Sequence, residues 1–300
     1  MRALVLSGGG AKGAYEVGAI YHLLHDRHIH YDILAGTSVG ALNSGFLSQF
    51  PKGSEAEAAQ GLKDLWFSLD TPKIYRKWYH GFLWLLPAFW RPSVFCTAPL
   101  RGLVTCTLHL DKVKASGKLL RVGATSLTTG ARRIWTEQSP DLASGIMASS
   151  AFPGAFEPVT IGDEVYLDDG IREITPIEDA VKAGATRLDV IGVDSAELDP
   201  HFTMTSVVAG APRVLQTMLH EIDVWDYKGA ELYNHIIELT NLLPPDKVPA
   251  HIQKLVSGKK FVTLNDLRPV AELSSPLDFS PASIRLSFDR GYEDAKKLAW

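Results

Sequence analysis

"VLSGGGAKGAYEVGAI", residues 5–20, decides how the rest of the chain is read. A short apolar run, Ala3 to Leu6, meets three consecutive glycines, Gly8, Gly9 and Gly10, then Lys12 and Gly13. Behind them Ala14, Val17, Gly18, Tyr21 and Leu24 fall on one face at helical spacing. Buried strand, glycine loop and helix together present backbone N–H groups and a helix N-terminus to negative charge. Two nucleotide readings of this loop fail. A phosphate loop of the form G-x-x-x-x-G-K-[ST] needs its lysine after the last glycine, and here Lys12 precedes Gly13. Gly8, Gly10 and Gly13 do fit G-x-G-x-x-G, but no ribose-binding carboxylate ends a second strand about twenty residues on. Asp32 begins a strand instead.

The next informative stretch is "YDILAGTSVGALNSGFL", residues 31–47. Gly36-Thr37-Ser38-Val39-Gly40 fits G-x-S-x-G and lies between an expected strand and an expected helix. That context suits a sharp strand-to-helix turn that exposes a serine hydroxyl, with Gly36 and Gly40 letting the turn close. Strand and helix patterns continue to alternate. Helices are expected at 54–69, 141–149, after Pro176, at about 205–240 and at about 282–298. Strands are expected at 119–126, 132–136, 164–167, 187–194 and 260–264. The pattern predicts an α/β fold whose mainly parallel central sheet is covered on both faces, a three-layer α/β/α sandwich. No linker divides residues 1–300, although 203–300 read as mainly helical.

Composition narrows the function. With 46% hydrophobic and 21% charged residues the chain can bury a sizeable core. A net charge of −4 without a basic stripe argues against nucleic acid. Cys96 and Cys106 form neither a disulfide framework nor a metal-ligand spacing, so free thiols in a reducing, cytoplasmic setting are expected. The first apolar run is too short for a secretory signal, and no stretch reaches the roughly 20 apolar residues of a spanning helix. "KWYHGFLWLLPAFWRP", residues 77–92, is aromatic but broken by Pro87.

A nucleophilic serine needs a base. Of the ten histidines, His201, His220, His235 and His251 follow Ser38 in the order of a Ser-Asp-His triad, but none sits in a glycine turn after a clear strand. The strand "EVYL" ends instead in Asp168-Asp169-Gly170, a carboxylate beside a glycine that can reach a neighbouring strand end.

Together these pieces resemble the patatin-like phospholipase family. Gly8 to Gly13 match its G-G-G-x-[RK]-G signature, and Gly36 to Gly40 its G-x-S-x-G. "ASSAFPGAFEPV", residues 148–159, looks like its serine- and proline-bearing block. Its D-G-[GA] motif, with a proline eight residues after the aspartate, is met by Asp168 and Pro176, with Asp169 where glycine is usual. A frame starting at Asp169 puts Pro176 one residue early, so spacing favours Asp168 while leaving Asp169 open. "DFSPASIRLSFDRGYEDA", residues 278–295, is a fainter echo. The resemblance implies a lipid acyl hydrolase with Ser38 as nucleophile and Asp168 as base. It implies an oxyanion hole at Gly8, Gly9, Gly10 and Gly13 with Lys12 adding positive charge, and no metal or cofactor. Phospholipase A, lysophospholipase and non-specific acyl hydrolase are equal candidates; a Ser-Asp-His esterase and a non-catalytic lipid- or protein-binding module are the rivals. Residues 73–95 add an expected interfacial lid. Trp78, Phe82, Trp84, Phe89 and Trp90, flanked by basic residues, suit transient contact with a membrane surface.

Overall fold

A computed structural model describes residues 1–78, 90–196, 202–203, 207–244, 247–257 and 260–298. The first third holds β1 (Arg2–Leu6), α1 (Gly13–Ile20), β2 (Ile33–Gly36), α2 (Val39–Leu47), α3 (Glu55–Phe67), α4 (Thr71–Ile74), β3 (Arg76–Lys77) and β4 (Phe95–Cys96). Then come α5 (Ala98–Thr107), α6 (Leu110–Ala115), β5 (Leu119–Ser126), β6 (Arg132–Trp135), α7 (Leu142–Ser149), β7 (Val159–Ile161), β8 (Glu164–Asp168), α8 (Ile177–Lys182) and β9 (Arg187–Ile191). The remainder is α9 (Val207–Asn241), α10 (Ala250–Val256), β10 (Thr263–Leu267) and α11 (Pro281–Lys296).

The main sheet runs β10-β9-β1-β2-β5-β8-β7, with β6 also paired to β5. From β10 to β5 every pairing is parallel; β6, β7 and β8 pair antiparallel. Alternate residues of the parallel strands enter two separate cores. Leu4, Leu6, Leu34, Leu120 and Val122 pack beneath α1, α2, α3, α7 and α11. Ala3, Val5, Ile33, Leu188 and Val190 pack with Ile177 and Ala180 of α8 and Tyr227 of α9. Strands covered on both faces carry near-continuous apolar runs, which is why "ALVL" and "ILAG" contain so few polar residues. The expected three-layer α/β/α sandwich is what the chain forms.

The C-terminal part is built into the same sheet. β10 extends the edge beyond β9, with Thr263 opposite Arg187 and Leu267 opposite Ile191. It begins three residues later than its apolar pattern suggests. The Asn234 side-chain amide of α9 binds both backbone groups of Val262, at 2.7 and 3.0 Å, so the ladder starts after it. The echo at 278–295 is the helix that packs on α1, and its Gly291 leaves room for the Tyr15 carbonyl, which a Cβ would meet at 1.9 Å. Helix α1 ends at Ile20 and continues to Asp26 as a π-helical turn, so Leu24 belongs to that turn.

Strand ends set the site. β1, β2 and β9 run parallel, so the loops after Leu6, Gly36 and Ile191 leave one edge of the sheet, the edge where open α/β sheets bind ligands. β8 arrives antiparallel. Gly36 lies opposite Val122 and Asp168 opposite Ala124, so two strand ends meet two residues apart along β5.

Candidate active site

The chain leaves β2 through Thr37, whose N–H bonds Leu6 O at 3.2 Å, and reverses at Ser38 with φ 56° and ψ −120°. Such a backbone costs a non-glycine residue on the order of 1–3 kcal/mol and persists only when its surroundings hold it. They do so here. A Cβ on Gly36 would come within 2.2 Å of Gly40 O, and one on Gly40 within 2.3 Å of Leu6 O, so the turn closes only with glycine at both places. The last turn of α7 then pins Ser38 from both sides. The Ser149 hydroxyl accepts the Ser38 N–H at 3.0 Å, and the Ser150 hydroxyl donates to Ser38 O at 3.3 Å. Ser38 caps the N-terminus of α2, where helix amides favour developing negative charge.

The glycine loop lies beside this turn. Gly8 N–H bonds Ile174 O at 3.1 Å, and Ala11 N–H bonds Pro276 O at 2.8 Å. Gly10 sits at φ 59°, with Pro276 O so close that a Cβ would meet it at 2.3 Å. Among the described residues the N–H groups of Gly9 and Gly10 meet no acceptor, which leaves two donors free at the site. Gly13 begins α1 against Val39 of α2. The Lys12 ammonium is ion-paired with Asp194, beyond the end of β9, which ties the loop to that strand end.

The two candidate carboxylates have opposite surroundings. Asp168 is buried; Oδ1 accepts the Gly170 N–H at 2.8 Å, while Oδ2 has no hydrogen-bond partner. Burial pushes its pKa up from 3.8 to about 7, against the stabilising Ser38 hydroxyl and Gly170 N–H. Ser38 is thus a neighbour of the carboxylate, although no hydrogen bond of ordinary geometry joins them. Asp169 is buried too, but it is fully engaged. Thr125 Oγ1 donates to it at 2.8 Å and Arg132 Nε at 2.8 Å. Arg132 also pairs with Asp179 at 2.9 Å and with Glu173, whose pKa burial and Asp179 raise to about 8.

A pocket begins at Ser38 and Gly10 and runs between α2, α3, α5 and α7. Its walls are almost wholly apolar, with Leu42, Leu62, Trp66, Leu100, Val104 and Ile146 among them. No histidine lines it, and among the described residues none hydrogen-bonds Ser38 or Asp168. His201 lies outside the described residues. Of the expected lid, Phe82, Trp84 and Phe89 also lie outside them. Trp78 is half-buried, donating to Ser93 O at 3.2 Å beneath the Arg91 guanidinium, and Trp90 is 60% exposed. The β3–β4 pairing sets Arg76 and Lys77 against Cys96 and Phe95, next to Tyr75, which packs on the pocket residues Phe156 and Phe279. Among the described residues no helix is long and apolar enough to cross a membrane. Both cysteines are free thiols.

Sequence reasoning missed several parts of this arrangement. Asp194, Pro276 and Arg132 act through contacts between distant parts of the chain and leave no local pattern. Helices α5 and α6 were also missed, though Leu100, Leu103 and Val104 carried a helical stripe that could have revealed the first.

Several known proteins resemble this one. The uncharacterized protein YqhO of Bacillus subtilis (strain 168) is 26% identical over 195 residues, 58% of this chain and 64% of YqhO. The uncharacterized protein YjjU of Escherichia coli (strain K12) is 26% identical over 191 residues, 63% of this chain and 51% of YjjU. The chain therefore spans between half and two thirds of the length of these relatives. Among solved structures, VipD from Legionella pneumophila is similar with a TM-score of 0.44 and 14% identity, across 99% of this chain and 66% of VipD. The profile of the patatin-like phospholipases matches residues 4–181, a span that takes in the glycine loop, the serine turn and Asp168 to Pro176, and the chain belongs to that family.

Proposed function

We propose that this protein hydrolyses fatty-acyl esters of lipids through a Ser38–Asp168 dyad and an acyl-enzyme. One observation carries the reading. A strained, doubly pinned serine stands beside a buried carboxylate with one unpartnered oxygen, at the mouth of an apolar pocket.

Asp168 accepts the Ser38 proton as Oγ attacks the ester carbonyl. A carboxylate of ordinary pKa is a weak base for a hydroxyl, and desolvation brings Asp168 to about 7, where base catalysis at neutral pH is efficient. The carbonyl oxygen becomes an oxyanion facing the free N–H groups of Gly9 and Gly10, each worth about 3 kcal/mol in such a role. The tetrahedral species collapses, the alcohol leaves with the proton from Asp168, and Ser38 holds the acyl group. Asp168 then deprotonates a water that attacks the acyl carbonyl; the fatty acid leaves and Ser38 regains its proton. No step uses a metal, so a calcium chelator leaves the rate unchanged.

The apolar walls favour an acyl chain as the group held, with a phospholipid or lysophospholipid as its source. Such a substrate resides in a bilayer or micelle. The aromatic composition of residues 73–95, with Trp90 exposed and the β3–β4 pair next to the pocket residues Phe156 and Phe279, supports transient contact with that surface. A fluorophosphonate probe tests the core of the proposal. It labels the wild type at Ser38, and Ser38→Ala loses both labelling and lysophospholipid turnover while still folding. Labelling at another serine, or turnover that survives Ser38→Ala, removes the assignment.

A further inference from the structure

The apolar pocket does not end in solid core. Its inner wall includes Phe46, Gln49 and Thr107, and the same three residues form part of a second cleft. That cleft opens to solvent between the end of α2 and α6, with Ser54, Glu57, His109 and Lys112 along it. These three residues are the ones common to both spaces, and they form the partition considered next.

Gln49 is the polar centre of that partition. It is only 7% exposed, yet its side chain is fully engaged. Nε2 donates to Phe46 O at 3.2 Å and to Thr107 O at 3.0 Å, and Oε1 accepts the His109 N–H at 2.8 Å. These bonds tie the end of α2 to the turn between α5 and α6. The Phe46 ring packs on Phe50, 5.5 Å between centroids, and fills the other half of the wall. A polar side chain in the wall of an apolar pocket, held by three backbone groups, resists displacement. An alkyl chain that met it would have to break those bonds without replacing them.

We infer that Gln49 sets the acyl-chain length this enzyme accepts, and that removing its side chain turns the closed pocket into a tunnel open at its far end. The inference rests on the proposed acyl-ester hydrolysis and deepens it. The depth follows from helix geometry. Ser38 and Gln49 bracket α2, and eleven residues at 1.5 Å each span about 16 Å. Carbon–carbon bonds of about 1.5 Å meeting near 111° advance about 1.25 Å per atom, so a chain laid along α2 from Ser38 to Gln49 has about a dozen carbons. Longer chains must fold back or leave their ends outside. With the partition open, their tails pass into the cleft beside α6, where Phe46 and Phe50 offer apolar surface.

The test is the chain-length profile of kcat/KM for monomeric p-nitrophenyl esters from four to eighteen carbons. Wild type peaks near twelve carbons and falls beyond. In Gln49→Ala the ratio of the sixteen-carbon to the eight-carbon value rises at least tenfold. Leu103→Trp, which narrows the same pocket from α5, moves the peak at least two carbons shorter. If Gln49→Ala fails to fold, Gln49→Ser, which shortens the same side chain and keeps a polar group, carries the test through the same ratio. Profiles that superimpose on an active wild type overturn the partition and leave the hydrolase reading standing. A wild type that cleaves no ester of any length and takes no fluorophosphonate label overturns both.

Discussion

Asp168 and Asp169 are adjacent, both buried, and both at the end of β8, yet they occupy different regions of the protein. Asp168 lies beside Ser38 with one oxygen bound and one free. Asp169 faces the sheet interior, among Thr125, Arg132 and the carboxylates around that guanidinium. Strand geometry makes this division, since successive side chains point to opposite faces. The lesson concerns stability and function on the same turn. The Ser38 side leaves a carboxylate underserved, and burial raises its pKa. The opposite side gathers charge around one arginine and so fixes the turn that carries the proposed base.

The largest expected effect comes from removing the base. Asp168→Asn lowers kcat on the order of 10³-fold. The same change stabilises the fold at neutral pH. The folded pKa of about 7 exceeds the unfolded 3.8, so the native state resists ionisation that the unfolded chain undergoes freely. The penalty is absent below pH 3.8, grows as pH rises, and is complete above about 7. Three pKa units correspond to about 4 kcal/mol, an upper bound on the gain from Asn at pH 8. Thermal unfolding at pH 4 and pH 8 checks the sign: the mutant's advantage appears only at the higher pH. The wild-type rate follows the same titration, rising with pH through about 7 to a plateau. A rate that falls across that range would remove Asp168 from the role of base.

How much of this was legible beforehand depends on the range of the interaction. Gly8 to Gly13, Gly36 to Gly40 and Asp168 to Pro176 are local backbone devices, so they appear as fixed spacings in the sequence. The sheet was legible for a similar reason, because a buried parallel strand must be apolar along its length. Spacing favoured Asp168 over Asp169 but left Asp169 open. Its role is set by Arg132, on a different strand, and by Gly123, where a Cβ would strike Asp169 Oδ2 at 2.1 Å. Lys12 shows the limit from the other side. Its charge could be read, but its partner Asp194 lies 182 residues away, and a composition argument cannot tell a paired cation from a free one.

The Arg132 region sharpens the comparison by the opposite behaviour. Arg132→Met leaves Asp169, Glu173 and Asp179 buried without a counter-charge, and urea unfolding should show a loss of about 3–5 kcal/mol. Asp169→Asn is milder, about 1–3 kcal/mol, because Glu173 can ionise and take over the arginine. In each protein that folds, kcat falls less than tenfold. The pair of aspartates then separates cleanly: one substitution removes turnover and adds stability, the other lowers stability and spares turnover. If Asp169→Asn were the inactive one, the roles would be exchanged and the Asp169 frame of the motif would be the right one.

The last test concerns how Ser38 itself is held. Ser149 touches neither the pocket nor Asp168; its hydroxyl accepts the Ser38 N–H at 3.0 Å. Ser149→Ala leaves that buried amide unpaired at a residue whose φ is already unfavourable, a loss of about 1–3 kcal/mol. The strained turn then has less reason to keep Oγ where it points. Misplacement of a nucleophile lowers the rate of attack more than it lowers affinity, because binding is carried by the apolar walls and attack depends on alignment. The expected result is a fall in kcat of about tenfold, an equal fall in the rate of fluorophosphonate labelling, and KM within about twofold of wild type. Ser149→Thr keeps the hydroxyl and restores most of the rate. A purely structural serine would give a lower Tm with kcat per folded molecule unchanged, and that outcome would make the α7 clamp a packing feature rather than part of the machinery that aims Ser38.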